Sequence, residues 1–558
     1  MTAATPSYVH GADSRPLLGD TIGTLLNRVT ATYPERPALV ARAQNVRMTY
    51  RQFHTEVERV AAGLLALGLE RGDRIGIWAP NRAEWVLLQF AAPKVGLILV
   101  NINPAYRTHE LEYSLNKVGC RALVLPRRFK TSQYLTILAE LAPELASCAP
   151  GQLRAARLPA LREVILLDEQ AEPGTHSWQQ MATLGAGAAL ERLHALEPTL
   201  NFDDAVNIQF TSGTTGAPKG ATLTHHNIVN NGWFIGEAMR LTEHDKLCIP
   251  VPFYHCFGMV LGNLACVTHG ACMVIPGEGF DALTTLQCVA EERCTALHGV
   301  PTMFIAELEH PRFAEFDLSS LRTGIMAGSP CPAEVMRRVV SEMHMSEVTI
   351  AYGMTETSPV SFQTVPDDPL ARRVDSVGRI HPHLEVKLVD EAGRVVPRGS
   401  TGELCTRGYS VMLGYWDDPA RTSEVIDEAR WMHTGDLAVI DADGYCSIVG
   451  RLKDMIIRGG ENVYPREIEE FLYGHPKIQD VQVFGVPDAK FGEHVCAWVR
   501  LREGSHASEA EIQDYCRHHL AYYKVPHYVR FVEAFPMTVT GKVQKYLMRE
   551  AMLAESAS

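Results

Sequence analysis

The stretch Gln209–Asn227, "QFTSGTTGAPKGATLTHHN", decides how the rest of the chain reads. Thr211, Ser212, Thr214 and Thr215 surround Gly213, Gly216 follows, and Lys219 sits between a proline and Gly220. Upstream, Val206, Ile208 and Phe210 alternate as a strand; downstream, Ile228, Ile235 and Met239 belong to a helix. A glycine-rich turn at that place lets backbone amides approach an anion. The hydroxyls add donors and Lys219 adds charge, so phosphate is the expected guest. The spacing is not that of the nucleoside triphosphatase P-loop, which needs four residues between its glycines and Ser or Thr after its lysine. The bland alternative is a flexible Gly/Ser/Thr linker. Its place between a strand and a helix, and its "PKG" ending, speak against that.

Outward from this turn the pattern is α/β. "TYRQFHTEVERVAAGLLALGL" carries Phe53, Val57, Val60 and Leu64 at helical spacing, with Thr49 as the N-cap. "DRIGIWAP" is a short strand through Ile75 and Ile77, and Asn81 starts a further helix. "VGLILVNIN" is an apolar strand, followed by a helix from Thr108 and a strand at "ALVLP". Such alternation predicts a parallel sheet covered on both faces. Residues 145–200 read as a helical excursion with loops. More α/β units follow through "DKLCIPVPF", "ACMVIPG", a helix from Asp281, and "CTALHGVPTMF". Near residue 375 the character changes. "HLEVKLVDEAGRVVPRGSTGELCTRG" alternates and is punctuated by glycine, which predicts antiparallel hairpins. After Arg451–Asp454 a smaller unit begins. It has a helix from Pro465 ended by Gly474, strand "VQVFGV", helix "EAEIQDYCRHHL", a strand near "VRFVEAF" and a frayed "AESAS" tail.

A chain of 558 residues exceeds the size of one core, and 46% hydrophobic with 21% charged residues is ordinary for a globular protein. A net charge of −13 argues against nucleic acid or an anionic membrane as partner. Thirteen cysteines without a CxxC pair suggest reduced thiols in a cytoplasmic protein, not a disulfide frame or zinc site. The longest apolar run, "WVLLQFAAPKVGLILVNIN", is broken by Pro93 and Lys94, so no membrane span is expected; neither is a secretory signal.

Three further segments could carry chemistry. In "AYGMTETSP" (Ala351–Pro359), Thr355 and Glu356 stand at the end of a strand, where they could bind a phosphate oxygen and Mg2+, although "TETS" also suits a helix N-cap. In "HTGDLAVIDADGYCSIVGRLKDMIIRGGENVYPREIE", Asp436 could accept from two ribose hydroxyls and Arg451 could meet a phosphate; singly, both read as surface groups. "TVTGKVQK" places Lys542 near the C-terminus, where a lone lysine is ordinarily solvated.

As an ordered set, the four segments resemble the adenylate-forming superfamily of acyl-CoA synthetases, luciferases and peptide-synthetase adenylation domains. The likeness runs from about Leu18 to Leu553. "YHCFGM", "GELCTRGYSVMLGYW" and "GRLKDMIIRGGENVYPREIE" resemble the fatty acyl-CoA synthetases most, of the medium-chain type with mitochondrial members in animals. The resemblance implies a large N-terminal domain (1–452) of two α/β sheet subdomains plus a β-rich one, and a small mobile α+β C-terminal domain (453–558). It implies ATP, Mg2+ and coenzyme A acting on a carboxylic acid, through acyl-AMP to the thioester. Thr211–Lys219 would wrap the β- and γ-phosphates. Tyr352 would stack on adenine, with Gly328, Ser329 and Pro330 on its other side. Thr355 would meet the α-phosphate, Glu356 Mg2+, and Asp436 the ribose, with Arg451 closing the site. Lys542 would bridge carboxylate and α-phosphate and then leave as the small domain rotates. That rotation would bring Gly459 and Gly460 of "RGGENVYP" beside pantetheine.

Lys453 would be the pivot, where many relatives carry Asp; the plain reading is a linker lysine. His255 would gate the acyl pocket, and Gly353, where acetate-activating relatives place tryptophan, would leave its floor open. Cys256, Met259, Val300, Met326 and Ala327 would give an apolar lining. Each methylene buried there is worth about 0.8 kcal/mol, which favours chains of several carbons. An aryl- or branched-acid CoA ligase, an acyl-AMP ligase serving a carrier protein, and a nucleotide-binding regulator without turnover are the competing readings. A homodimer is the expected assembly, if any.

Overall fold

The structure, a computed structural model, describes residues 5–211, 218–329, 331–458, 461–488, 490–517, 519–537 and 543–556. It is mixed α/β, with three sheets before residue 452 and a fourth after it.

The first large sheet has eight strands. Its middle is parallel: Ala205–Thr211 beside Ile98–Asn101, then Arg74–Ile77, Ala122–Leu125, Glu163–Leu166 and His176–Ser177. The apolar runs form its buried strands, because helices cover both faces. The run that came nearest to membrane length is divided between the buried helix Ala83–Lys94 and strand Ile98–Asn101. Lys94 is fully buried and meets Glu197 at 3.0 Å. No helix among the described residues is long and apolar enough to cross a membrane. Thr49 caps helix Tyr50–Ala66 in a capping box with Gln52, as its sequence suggests.

The second large sheet has nine strands and a parallel centre: Glu347–Gly353, Thr323–Ala327, Ala296–Gly299, Lys246–Cys248, Cys272–Ile275 and Pro37–Ala41. The third is antiparallel, built from Leu384–Val389, Gly402–Gly408, Met432–Ile440 and Cys446–Arg451, as the alternation predicts. The small sheet joins Ile456–Arg458, Glu461–Val463, Ile478–Asp488, Gly492–Leu501 and Tyr528–Phe531. Helix Pro465–Tyr473 packs on it, with Pro465 in the first turn and Gly474 at the C-cap. Arg466 Nη1 donates to Ile448 O at 2.7 Å and Gln479 Nε2 to Glu309 Oε2 at 2.9 Å, tying the small unit to the large one.

Three sequence expectations are corrected. Residues 145–200 are not only helix and loop: "EVIL" (Glu163–Leu166) is fully buried and extends the first sheet. The glycine-rich turn does not lead straight into a helix. Lys219–Thr224 first returns as a strand antiparallel to Ala205–Thr211, so two paired strands flank that segment. The C-terminal tail does not fray at Ala554. Helix Lys545–Ser556 is anchored by Met548, which packs with Phe484, Trp498 and Phe535. Tyr8–His10, before the span of the family likeness, adds a strand to the third sheet opposite Glu385–Lys387.

Candidate active site

Near the C-terminal end of strand Glu347–Gly353 the second sheet meets the third at Tyr352–Asp436 and the first at Glu356–Tyr415; open α/β sheets bind ligands at such strand ends. Thr211 and Lys219 face each other as cross-strand partners. Lys219 Nζ lies 4.8 Å from the centre of the Tyr415 ring. The Tyr415 hydroxyl in turn donates to Glu356 Oε1 at 2.9 Å. Strand Glu347–Gly353 delivers Glu356 in a short 3-10 turn, Thr355–Thr357, and Met412 N–H holds the Glu356 carbonyl at 2.9 Å. The carboxylate is only 6% exposed, so it works in a low-dielectric setting. Thr355 Oγ1 is 3.9 Å from Cys256 Sγ.

The third sheet supplies the second cluster. Asp436 and Arg451 are cross-strand partners, with Arg451 Nε 3.0 Å from Asp436 Oδ1. Tyr352 reaches across from the second sheet and donates its hydroxyl to Asp436 Oδ2 at 2.5 Å. Burial, and then the Asp436 charge, push the Tyr352 phenol well above its ordinary pKa, so it stays a donor. Burial opposes the Arg451 charge, but Asp436, Asp454 and Tyr352 outweigh it and raise its pKa. Lys453 is shifted the other way, by burial and then by Arg451, with Lys219 adding to the repulsion. Arg451 and Lys453 thus share the carboxylates of Asp436 and Asp454, with Lys219 near enough to repel Lys453. Such a place favours a polyanion that also presents hydroxyls to Asp436.

Gly328 closes strand Thr323–Ala327 with φ 93°, a left-handed conformation that suits glycine, and it and Ser329 are exposed. Ser212, Gly213, Thr214, Thr215, Gly216, Pro330, Gly459, Gly460 and Lys542 lie outside the described residues.

The apolar wall gathers only part of its expected lining. Cys256, Met259, Val300 and Ala327 share one buried cluster. Met326 does not join them; it packs in the other cluster, with Leu297 and Phe304, because successive strand residues face opposite ways. His255 accepts from Phe257 N–H at 3.1 Å through Nδ1 and opens a π-helical segment, Phe257–Leu264. Gly353 serves close approach: a Cβ there would lie 1.7 Å from the Pro359 carbonyl oxygen. Gly353 is exposed on its other side.

Two residues here escaped the sequence reading. Tyr415 links Lys219 to Glu356; it stands in the quoted "GYW" but carried no chemical signal of its own. His298 is fully buried behind the wall. Its Nε2 lies 2.9 Å from Leu261 O, and its Nδ1 accepts from Ile325 N–H at 3.1 Å. Burial holds it near pKa 4, hence neutral.

Comparison with known proteins agrees with this arrangement. Residues 26–416 match the AMP-binding enzyme family and residues 467–542 match the AMP-binding enzyme C-terminal domain. Over 551 residues the chain is 49% identical to a medium-chain acyl-CoA ligase, ACSF2, mitochondrial, of Danio rerio, covering 98% of this chain and 90% of that one. Over 535 residues it is 50% identical to the putative acyl-CoA synthetase YngI of Bacillus subtilis (strain 168), covering 96% and 97%. Among solved structures, the anthranilate CoA ligase AuaEII in complex with anthranoyl-AMP superposes with a TM-score of 0.84 at 27% identity, covering 98% and 99%. ATP-bound MatB from Rhodopseudomonas palustris superposes with a TM-score of 0.81 at 29% identity, covering 95% and 99%. With both family domains matched in order, and relatives of this identity along nearly its whole length, the chain belongs to the AMP-binding enzyme family of adenylate-forming enzymes.

Proposed function

We propose that the protein is an ATP-dependent medium-chain acyl-CoA ligase. The observation that carries this reading is the convergence of the Tyr352–Asp436–Arg451 cluster and the Lys219–Tyr415–Glu356 chain beside an apolar wall. A carboxylate oxygen attacks the α-phosphorus of ATP, forming the acyl-AMP anhydride and expelling pyrophosphate. The coenzyme A thiol then attacks the acyl carbon, forming the thioester, expelling AMP and giving up its proton.

Two anions must meet in the first step, and preorganised positive charge is the remedy. Thr211–Lys219 hold the outer phosphates, Thr355 the α-phosphate, and Asp436 takes the ribose in place of the Tyr352 and Arg451 bonds it now makes. Lys542 bridges carboxylate and α-phosphate. Glu356 fits Mg2+: it is a nearly buried hard oxygen donor beside the phosphate site. That ion, when bound, neutralises triphosphate charge. The small domain, 453–558, turns about Lys453 and withdraws Lys542, and Gly459–Gly460 then line the path of pantetheine.

The medium-chain assignment draws on the Danio rerio relative's name and on the apolar character of Cys256, Met259, Val300 and Ala327. An aryl acid is the second reading, favoured by the likeness to an anthranilate CoA ligase. We place the enzyme in the cytoplasm on its thirteen reduced cysteines, although the Danio rerio relative is named mitochondrial. Homodimerisation is decided by light scattering. The functional test is pyrophosphate release over acetate through palmitate plus benzoate, with and without coenzyme A. Greatest turnover with acids of about six to ten carbons supports the reading. Preference for benzoate selects the aryl reading, and equal release with a carrier protein in place of coenzyme A defeats both.

A further inference from the structure

Away from the nucleotide, the third sheet brings together three different metal-binding side chains. Cys405 and His433 are opposite partners on strands Gly402–Gly408 and Met432–Ile440, and Glu403 lies two residues before Cys405, across an irregularity in the ladder. His433 Nδ1 is 3.0 Å from Glu403 Oε2 and 3.5 Å from Cys405 Sγ. The three donor atoms lie within 4.8 Å of one another. Tetrahedral zinc, with bonds of about 2.0–2.3 Å, sets its nitrogen, sulfur and oxygen ligands roughly 3.3–3.5 Å apart. The observed separations are close to that before any ion draws them in.

The other imidazole nitrogen is also provided for. His433 Nε2 faces Asp427 Oδ2 at 3.8 Å, while Trp431 N–H fixes Asp427 through Oδ1 at 2.8 Å. A carboxylate behind a ligating histidine is the usual way to orient the ring and raise its basicity. The His433 and Glu403 side chains are 33% and 20% exposed, while Cys405 is buried. Lys387, opposite Cys405 on the neighbouring strand, rests its ammonium 4.5 Å from the centre of the Trp431 ring.

We infer that Glu403, Cys405 and His433 form a binding site for a divalent transition-metal ion of the zinc class, with Asp427 as the positioning residue for His433. A free thiol carries its proton at neutral pH. On binding, the sulfur–metal bond forms as that proton passes to solvent. A second thiol cluster, Cys248, Cys288 and Cys294, lies in the core with all three of its residues buried and offers neither histidine nor carboxylate.

The test titrates Co2+ into the full-length, reduced, chelator-treated protein without nucleotide. One equivalent is expected to produce a sulfur-to-cobalt charge-transfer band that Zn2+ abolishes. Cys405→Ala should remove the band and His433→Gln should weaken it, while Cys248→Ala should leave it intact. Asp427→Asn, on the surface, should weaken binding by roughly 10-fold or more without removing the band. Absence of a band at millimolar cobalt overturns the site. So does a band that survives Cys405→Ala, or one that Cys248→Ala removes. Should Cys405→Ala not fold, unaltered cobalt affinity in both His433→Gln and Asp427→Asn overturns it equally.

Discussion

The nucleotide end and the acyl end of the active site are built on opposite plans. At the nucleotide end, Asp436 holds Tyr352 and Arg451, and Glu356 holds Tyr415; each contact is directional, and the two tyrosine contacts join separate sheets while Arg451 lies on the strand next to Asp436. At the acyl end, Cys256, Met259, Val300 and Ala327 meet only by packing. Directional polar contacts demand particular residue types at particular places. Apolar packing demands volume and patterning, which many sequences supply. The contrast teaches that recognition of ATP is rigidly written into this protein, whereas recognition of the acid is a matter of shape.

The sharpest way to break the contrast is Lys542→Ala. Acyl-AMP formation, read by pyrophosphate release, should fall by about 10²–10³, as for loss of one aimed charge. Thioester formation from supplied acyl-AMP should persist; equal loss of both would end the division of labour. Next is Asp436→Ala. Losing an ionised acceptor of two ribose hydroxyls should raise the KM for ATP by roughly 10–100-fold. The KM for the acid should not move, and a parallel rise would mean that the two ends are one unit.

A third experiment probes the acyl wall by pH. The free-histidine pKa is about 6.5. His298 is held down to about 4 in the fold, so the unfolded chain binds its proton first. The stability this group contributes is complete above pH 6.5 and is lost as pH falls from there toward 4. His225, also near 4, and His381, near 3, have the same sign. The thermal midpoint should therefore drop between neutral pH and about pH 5, and drop less in His298→Gln.

Smaller effects separate the ends further. Tyr415→Phe removes one hydrogen bond to Glu356 and should cost about 1 kcal/mol, a several-fold fall in kcat with acid preference unchanged. Val300→Phe should shift preference toward shorter acids by a few-fold per carbon, about 0.8 kcal/mol for each methylene displaced. An unchanged chain-length profile would remove Val300 from the wall.

Legibility followed the same division. Tyr352, Asp436 and Arg451, proposed together from sequence because their chemistry is particular and their motifs recur in order, do meet in the fold. Tyr415 was not readable, since a tyrosine's role depends on which carboxylate its hydroxyl meets, and Glu356 is 59 positions away. Met326 and Ala327 read alike as apolar, yet the pleat sends them to different cores. Gly353 read as room for a ligand, and only the coordinates reveal how closely the Pro359 carbonyl approaches it.

The amino-acid order alone determined the α/β alternation, the antiparallel character after residue 375 and the residue types of the nucleotide site. These depend on local periodicity, turn chemistry and charge, which act over a few residues. Tertiary structure decided which strand joins which sheet: Pro37–Ala41 pairs with Cys272–Ile275, while the next strand in sequence to lie in a parallel pair, Arg74–Ile77, goes to the other sheet. It also decided that Cys405 faces His433 and that Lys219 points at Tyr415. Those pairings come from burial and hydrogen bonding between segments far apart in the chain, and no local pattern records them.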